Sequence, residues 1–413
     1  MESKAFEQYA SMLIELVGLR EGQGLLLKGE PVNWPVMTAI AAAAYQRGAK
    51  YVEPLVDSTA LHRARVENSM EEYLEFIPDE RKAWQEQSVR EKWALISIKS
   101  PDDPDLLSGI DPDRHTAVSR AYRKADQPWR EHLMSDELQW LVAAAPSQKW
   151  AAKILDTPPS REAQTKLWQL LKSILRLDRD NPVGFWKEQS ARLEKRAGIL
   201  NELNLRELRF DGSGTDLRVG IPEGAVWTGG AARTPEGIIF MPNIPTEEVF
   251  TAPDYRRTEG RVRATRPVTV LGDLVEGACF TFREGKVVEA TADRGAETLK
   301  RFLDIDEGSR FLGEVALVDS SSPIYQSGYL FYNTLLDENA ACHIALGNAY
   351  PDTIEGGLDM SPEELRAAGA NRSIQHADFM IGSESVDVLG LRQDGSEIEV
   401  MRNGSFVLPE GVE

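Results

Sequence analysis

Four short apolar runs in the first half of the chain, at 24–28, 51–56, 94–98 and 138–142, are separated by stretches long enough to hold helices. Strands alternating with helix-length segments form a mostly parallel sheet with helices on its faces. The intervening segments carry the matching signals. Phe6, Tyr9, Leu13, Leu16 and Val17 recur at helical spacing before a stop at Gly18, and residues 35–47 end in Ala41–Ala42–Ala43–Ala44 before Gly48. Further helical stretches fall near 60–68 and 79–92. From 160 to 203, Leu167, Leu170, Leu171, Ile174 and Leu175 make an apolar stripe, which Phe185, Trp186, Leu193, Ile199 and Leu200 continue beyond Asn181–Pro182. Such stripes ordinarily bury as core.

The patterning changes after residue 204. Leu208–Arg209–Phe210, a Gly-rich turn at 211–214 and Leu217–Arg218–Val219 read as a hairpin, and short strands with Gly-rich turns follow through 262–290, with a helix near 295–303. A chain of 413 residues exceeds what one core usually serves. The expectation is an α/β N-terminal domain over 1–203 with a mostly parallel sheet, then an α+β, strand-rich domain over 204–413.

Several function classes are excluded. A net charge of −19 lacks the basic footprint that nucleic acid requires. No window approaches 18 uninterrupted apolar residues, so no membrane span is expected. The start, Met1–Glu2–Ser3–Lys4–Ala5–Phe6–Glu7, lacks the basic and apolar regions of a secretory signal. Two cysteines, Cys279 and Cys342, cannot make a disulfide framework, which fits a cytoplasmic protein. The first half contains no Gly-x-Gly-x-x-Gly or Gly-x-x-x-x-Gly-Lys, so nothing points to a nucleotide cradle.

The residues that can carry chemistry lie in the second half. In Gln375–His376–Ala377–Asp378–Phe379–Met380–Ile381–Gly382, an extended chain puts His376 and Asp378 on one face, an imidazole and a carboxylate suited to a divalent metal. Glu314 enters an apolar run, where a carboxylate needs a partner. Glu247 and Glu248 are adjacent, so only one of them can face a common centre; Glu247 reads as solvent-facing or as a carboxylate behind the ligands. His343 follows Asp337–Glu338–Asn339–Ala340–Ala341–Cys342 and is expected on a helix capped near Asp337. Cys342 and Cys279 read as small buried hydrophobes. His62, His115 and His132 sit among charged residues and read as surface or helix-face positions.

Three segments carry a family resemblance. They are 241–254 (Met-Pro-Asn-Ile-Pro-Thr-Glu-Glu-Val-Phe-Thr-Ala-Pro-Asp), 331–343 (Phe-Tyr-Asn-Thr-Leu-Leu-Asp-Glu-Asn-Ala-Ala-Cys-His) with Gly347 and Ala349–Tyr350–Pro351, and 376–382. In sequence and order they resemble the M29 metallo-aminopeptidases, the aminopeptidase T and aminopeptidase S group. The resemblance implies metal ligands at Glu248, Glu314, His343, His376 and Asp378, and catalytic roles for Tyr350 and Glu314. It implies two divalent ions (zinc, cobalt, manganese or magnesium) activating a water, and release of single N-terminal residues from peptides with a free N-terminus. It also implies a homodimer whose first domains help to enclose the active site. Two other readings stand beside it: a non-catalytic oligomeric scaffold or peptide-binding relative, and a metallohydrolase of other amides.

Overall fold

The computed structural model describes residues 2–408; Met1 and 409–413, the outer ends of the two expected domains, lie outside the described residues. The chain divides into two compact units. One comprises the residues up to Trp186 together with 231–245, and the other comprises 187–230 and the residues from Thr246 onward.

In the first unit a four-stranded parallel sheet is built from Gly24–Gly29, Tyr51–Val56, Ala94–Ile98 and Trp140–Ala143, with Tyr51–Val56 at one edge and Gly24–Gly29 next to it. Helices Trp34–Gln46, Thr59–Asn68 and Asp79–Arg90 lie where helical stretches were expected. Two more, Pro112–Met134 and Gln148–Leu155, were not separated by sequence patterning. The longer one starts sharply because the Asp111 carboxylate accepts the N–H groups of Asp113 and Arg114, with Pro112 at the first helical position. The apolar stripe after 160 becomes two helices. In Arg161–Ile174 the buried residues Leu167, Trp168, Leu171 and Ile174 keep the expected spacing, and Ser160 caps the start through Ala163 N–H. Tyr9 of the first helix packs against Trp168 and donates its hydroxyl proton to Ala144 O at 2.9 Å, which satisfies a wholly buried phenol.

The second unit holds an eight-stranded antiparallel sheet and a four-stranded antiparallel sheet. The larger one includes the expected hairpin, Leu205–Gly212 with Thr215–Gly220. The smaller one runs, in spatial order, His376–Met380, His343–Gly347, Leu312–Val318 and Glu248–Thr251. One face of this smaller sheet presents Val249, Val315, Leu317, Ile344, Leu346 and Phe379 to a core shared with Phe280, Leu208 and Val219 of the larger sheet. Its other face carries the chemistry.

Candidate metal centre

Cross-strand register decides which side chains share that other face. Val318 pairs with Glu248, Ala316 with His343, Glu314 with Ala345, and on the next strand Ala345 pairs with Asp378 and Gly347 with His376. Paired residues of an antiparallel sheet point to the same side, and each strand repeats with period two. Glu248, Glu314, His343, His376 and Asp378 therefore converge, while Ala316, Ala345 and Gly347 between them present no more than a methyl group. This corrects the expected helix at His343: the residue opens the strand His343–Gly347. The helix before it is only Thr334–Asp337, and the Asp337 carboxylate accepts the N–H groups of Phe331 and Asn333 instead of capping a longer helix. Ladder partners on both edges outweigh the helical preference of the alanines around 340–345.

The distances describe a shared carboxylate. Glu314 Oε1 lies 3.3 Å from His343 Nε2, and its Oε2 lies 3.6 Å from His376 Nε2. Glu248 Oε2 is 3.3 Å from His343 Nε2, and Asp378 Oδ1 is 3.2 Å from His376 Nε2. Two overlapping triads result, Glu248–Glu314–His343 and Glu314–His376–Asp378, each with ligand atoms within 4.8 Å of one another.

Both imidazoles are oriented from behind. His343 Nδ1 is 3.2 Å from Ala341 O, and His376 Nδ1 is 2.8 Å from Asn348 O. With each Nδ1–H donating to a carbonyl, each Nε2 faces the carboxylates, the orientation by which proteins set a metal-binding histidine. Asn348 reaches this position because Gly347 takes φ +118°; a Cβ there would lie 2.2 Å from Gln375 O.

Electrostatics marks the cluster as one that binds positive charge. Burial pushes the Glu248 carboxyl upward, as do its neighbours Glu314 and Asp378. Burial opposes the charged form of His343, yet the hydrogen bond to Glu314 and the nearby carboxylates raise it to about 9. At His376 burial is likewise outweighed, chiefly by Asp378, and the imidazole is raised to about 10. Glu248 Oε2 is buried without a hydrogen-bond partner; its contact to His343 has ion-pair distance without hydrogen-bond geometry. A buried carboxylate oxygen with no donor is costly. Cations bound among three carboxylates and two imidazoles would satisfy it, so the donor set fits divalent metal with mixed N/O ligation.

Tyr350 stands beside this face, its ring edge-on to His376 at 5.3 Å and to Phe250 at 5.9 Å. Burial, then the charges of Glu314 and Asp378, push its phenol well above the usual range. Glu247 points elsewhere: its carboxylate accepts from Gln189 Nε2 at 2.8 Å, and its N–H donates to Asn339 Oδ1. Cys342 is buried on the core side, its thiol pushed up to about 12 by burial. His62 and His115 come together in the first unit, Nε2 to Nδ1 at 2.9 Å, and His132 pairs with Glu137.

Sequence reasoning missed Glu338. It follows Asp337 in a short turn and is raised well above the usual carboxylate range by burial, then by Glu248, Asp378 and Glu314. It shares a cleft with Asp378. The only sequence signal was its place inside the 331–343 segment.

A face of this composition, on this fold, is that of a metallo-peptidase, a hydrolase. The chain belongs to the M29 family: the family model described as "Thermophilic metalloprotease (M29)" matches residues 2–406. It is 38% identical over 404 residues to Aminopeptidase 2 of Geobacillus stearothermophilus, covering 98% of both chains. It is also 38% identical over 409 residues to Aminopeptidase T of Thermus aquaticus, covering 98% of this chain and all of that one. A solved structure titled "Wild-type AmpT from Thermus thermophilus" superposes with a TM-score of 0.91 at 37% identity, over 98% of this chain and 100% of that one. The expected fold class, a parallel α/β first part and a strand-rich second part, agrees with both structures. Among the described residues no helix is long and apolar enough to cross a membrane.

Proposed function

We propose that the chain is an aminopeptidase that releases single residues from peptides with a free N-terminus, using two divalent ions on the open face of the four-stranded sheet. The observation that carries this reading is the pair of back-tied imidazoles whose Nε2 atoms face the two oxygens of one carboxylate, Glu314. In this reading Glu248 and His343 would hold one ion and His376 and Asp378 the other, with the Glu314 carboxylate facing both groups. The chemistry supplied there when divalent ions are bound would be Lewis acidity, which lowers the pKa of bound water and polarises a carbonyl. Mixed N/O ligation accepts zinc, cobalt, manganese or magnesium. The names of the relatives, all aminopeptidases, support the substrate class.

The chain's own residues divide the remaining work. Tyr350 keeps its phenolic proton at neutral pH and is held edge-on to His376, so it donates a hydrogen bond to the developing oxyanion. Glu338, which shares a cleft with Asp378, would in its ionised form take a proton from the attacking water and then return it to the leaving amine. The Asn348 and Ala341 carbonyls keep the imidazoles from rotating out of line. We also take the protein to act as a cytoplasmic homodimer; two buried free cysteines accord with a reducing compartment.

The test is a panel of aminoacyl amides and their N-blocked counterparts, assayed with each of these metals. Hydrolysis confined to the free amines is expected. Equal hydrolysis of blocked amides would mark a different amide hydrolase. No turnover at full metal content would mark a non-catalytic relative.

A further inference from the structure

We propose that Asn371 is a positioning residue of the metal centre: by holding the backbone behind His376 it sets the ring of that one ligand, and with it the affinity for one of the two ions. This rests on the metal reading above. The two imidazoles are braced differently. His343 Nδ1 reaches Ala341 O, two residues back in its own segment. His376 Nδ1 reaches Asn348 O, 28 residues away and just past the end of the neighbouring strand His343–Gly347. The His376 ring is therefore only as well oriented as the Asn348 carbonyl.

One residue holds the peptides on both sides of Asn348. The peptide that carries Asn348 O also carries the Ala349 N–H, which donates to Asn371 O at 3.0 Å. The preceding peptide carries Gly347 O, which accepts from Asn371 Nδ2 at 2.6 Å. It also carries the Asn348 N–H, which donates to Gln375 O at 2.7 Å. The same two carbonyls crowd Gly313, where a Cβ would lie 2.4 Å from Gly347 O and from Asn348 O. Neither peptide can turn without breaking a bond to Asn371 or meeting the strand that carries Glu314.

Asn371 is itself anchored. Its Nδ2 also donates to Gly308 O at 2.8 Å and lies 3.3 Å from Phe311 O, which ties it to the turn before the Glu314 strand. The loop after it is held by the Asp306 carboxylate, which accepts from Ser373 Oγ at 2.9 Å and from Ile374 N–H at 2.8 Å. The amide is buried, yet its Oδ1 has no hydrogen-bond partner. A buried oxygen left unpaired is a cost, so it is the donor end that accounts for an amide at this position. Groups that orient a metal-ligating histidine contribute about 10- to 100-fold in metal affinity.

The experiment uses the full chain with Asn371→Ala and Asn371→Ser, and Asn339→Ala for comparison. Asn339 is likewise a buried amide, but it serves the Glu248 side: its Oδ1 accepts from Glu247 N–H and its Nδ2 donates to Leu335 O. Zinc affinities are measured by competition with a chelator. The ring N–H signals of the metal-stripped protein are recorded by NMR with isotope-labelled histidine and assigned through His376→Gln and His343→Gln. In both Asn371 variants one ion binds about 10- to 100-fold more weakly while the other is unchanged. The His376 ring signal moves in these variants and the His343 signal stays; in Asn339→Ala the His376 signal stays. Zinc affinities that stay put or fall equally for both ions would overturn the proposal. So would a His376 signal that is unmoved, or that moves as far in Asn339→Ala, or failure of both Asn371 variants to fold. If the unaltered chain binds no zinc, the metal reading fails on its own, and the ring signals still decide whether Asn371 orients His376.

Discussion

Loading a metal-stripped preparation of this protein with divalent ions should expel protons, because the ligand imidazoles must be deprotonated to bind. The carboxylates raise His343 from 6.5 to about 9 and His376 to about 10. At pH 7.5 both are then nearly fully protonated, whereas two ordinary imidazoles would together carry only about 0.2 of a proton. Loading at pH 7.5 is therefore expected to release about two protons per chain from the imidazoles, falling to about one at pH 9.5, where His343 has largely titrated. The assay is calorimetric titration of zinc in several buffers of different ionisation enthalpy; the slope of observed heat against that enthalpy counts the protons. A count near zero at pH 7.5, or one that does not fall toward pH 9.5, would refute the electrostatic account of the cluster.

The same shifts set the pH dependence of the stripped protein's stability. The folded pKa values of His343 and His376 lie above the unfolded value of 6.5, so their stabilising contribution is complete below about pH 6.5 and is lost as pH rises through about 9 to 10. Its Tm should fall over that window while the metal-loaded protein's stays flatter, which scanning calorimetry reads directly. Ala345, wholly buried and paired with both Glu314 and Asp378, keeps the middle of the face clear. Ala345→Leu should cost about 1–3 kcal/mol of stability by overpacking and should bring metal content below one ion per chain by elemental analysis. Phe379, in the strand His376–Met380, is fully buried on the core face, its ring centroid 4.9 Å from that of Phe280. Phe379→Ala should lower stability by about 3–5 kcal/mol in denaturant titrations; a loss under 1 kcal/mol would contradict the packing described.

What was legible in the sequence follows from which patterns are local. The parallel sheet was readable because its strands are short, mostly apolar runs separated by helix-length segments, although Glu53–Pro54 interrupts the edge strand. His376 and Asp378 share a face by the period of an extended chain alone. The helix Pro112–Met134 escaped because Arg114, His115, Arg120, Arg123, Lys124 and Asp126 crowd its surface and leave few buried residues to mark a stripe. His343 was misread as helical because alanines that clear space on a sheet look, in sequence, like helix formers. Glu338 lies in a turn, where no periodicity tells which way a side chain faces. Its raised carboxyl depends on burial and on carboxylates on three strands that only the fold brings near it.

The central claim is a two-ion centre joined by Glu314, and metal stoichiometry tests it most directly. Elemental analysis after saturation and desalting should give two ions per chain in the unaltered protein. It should give fewer than one in Glu314→Ala, because that one carboxylate faces both imidazoles. Two ions retained in Glu314→Ala, or a single ion in the unaltered chain at saturation, would contradict the account.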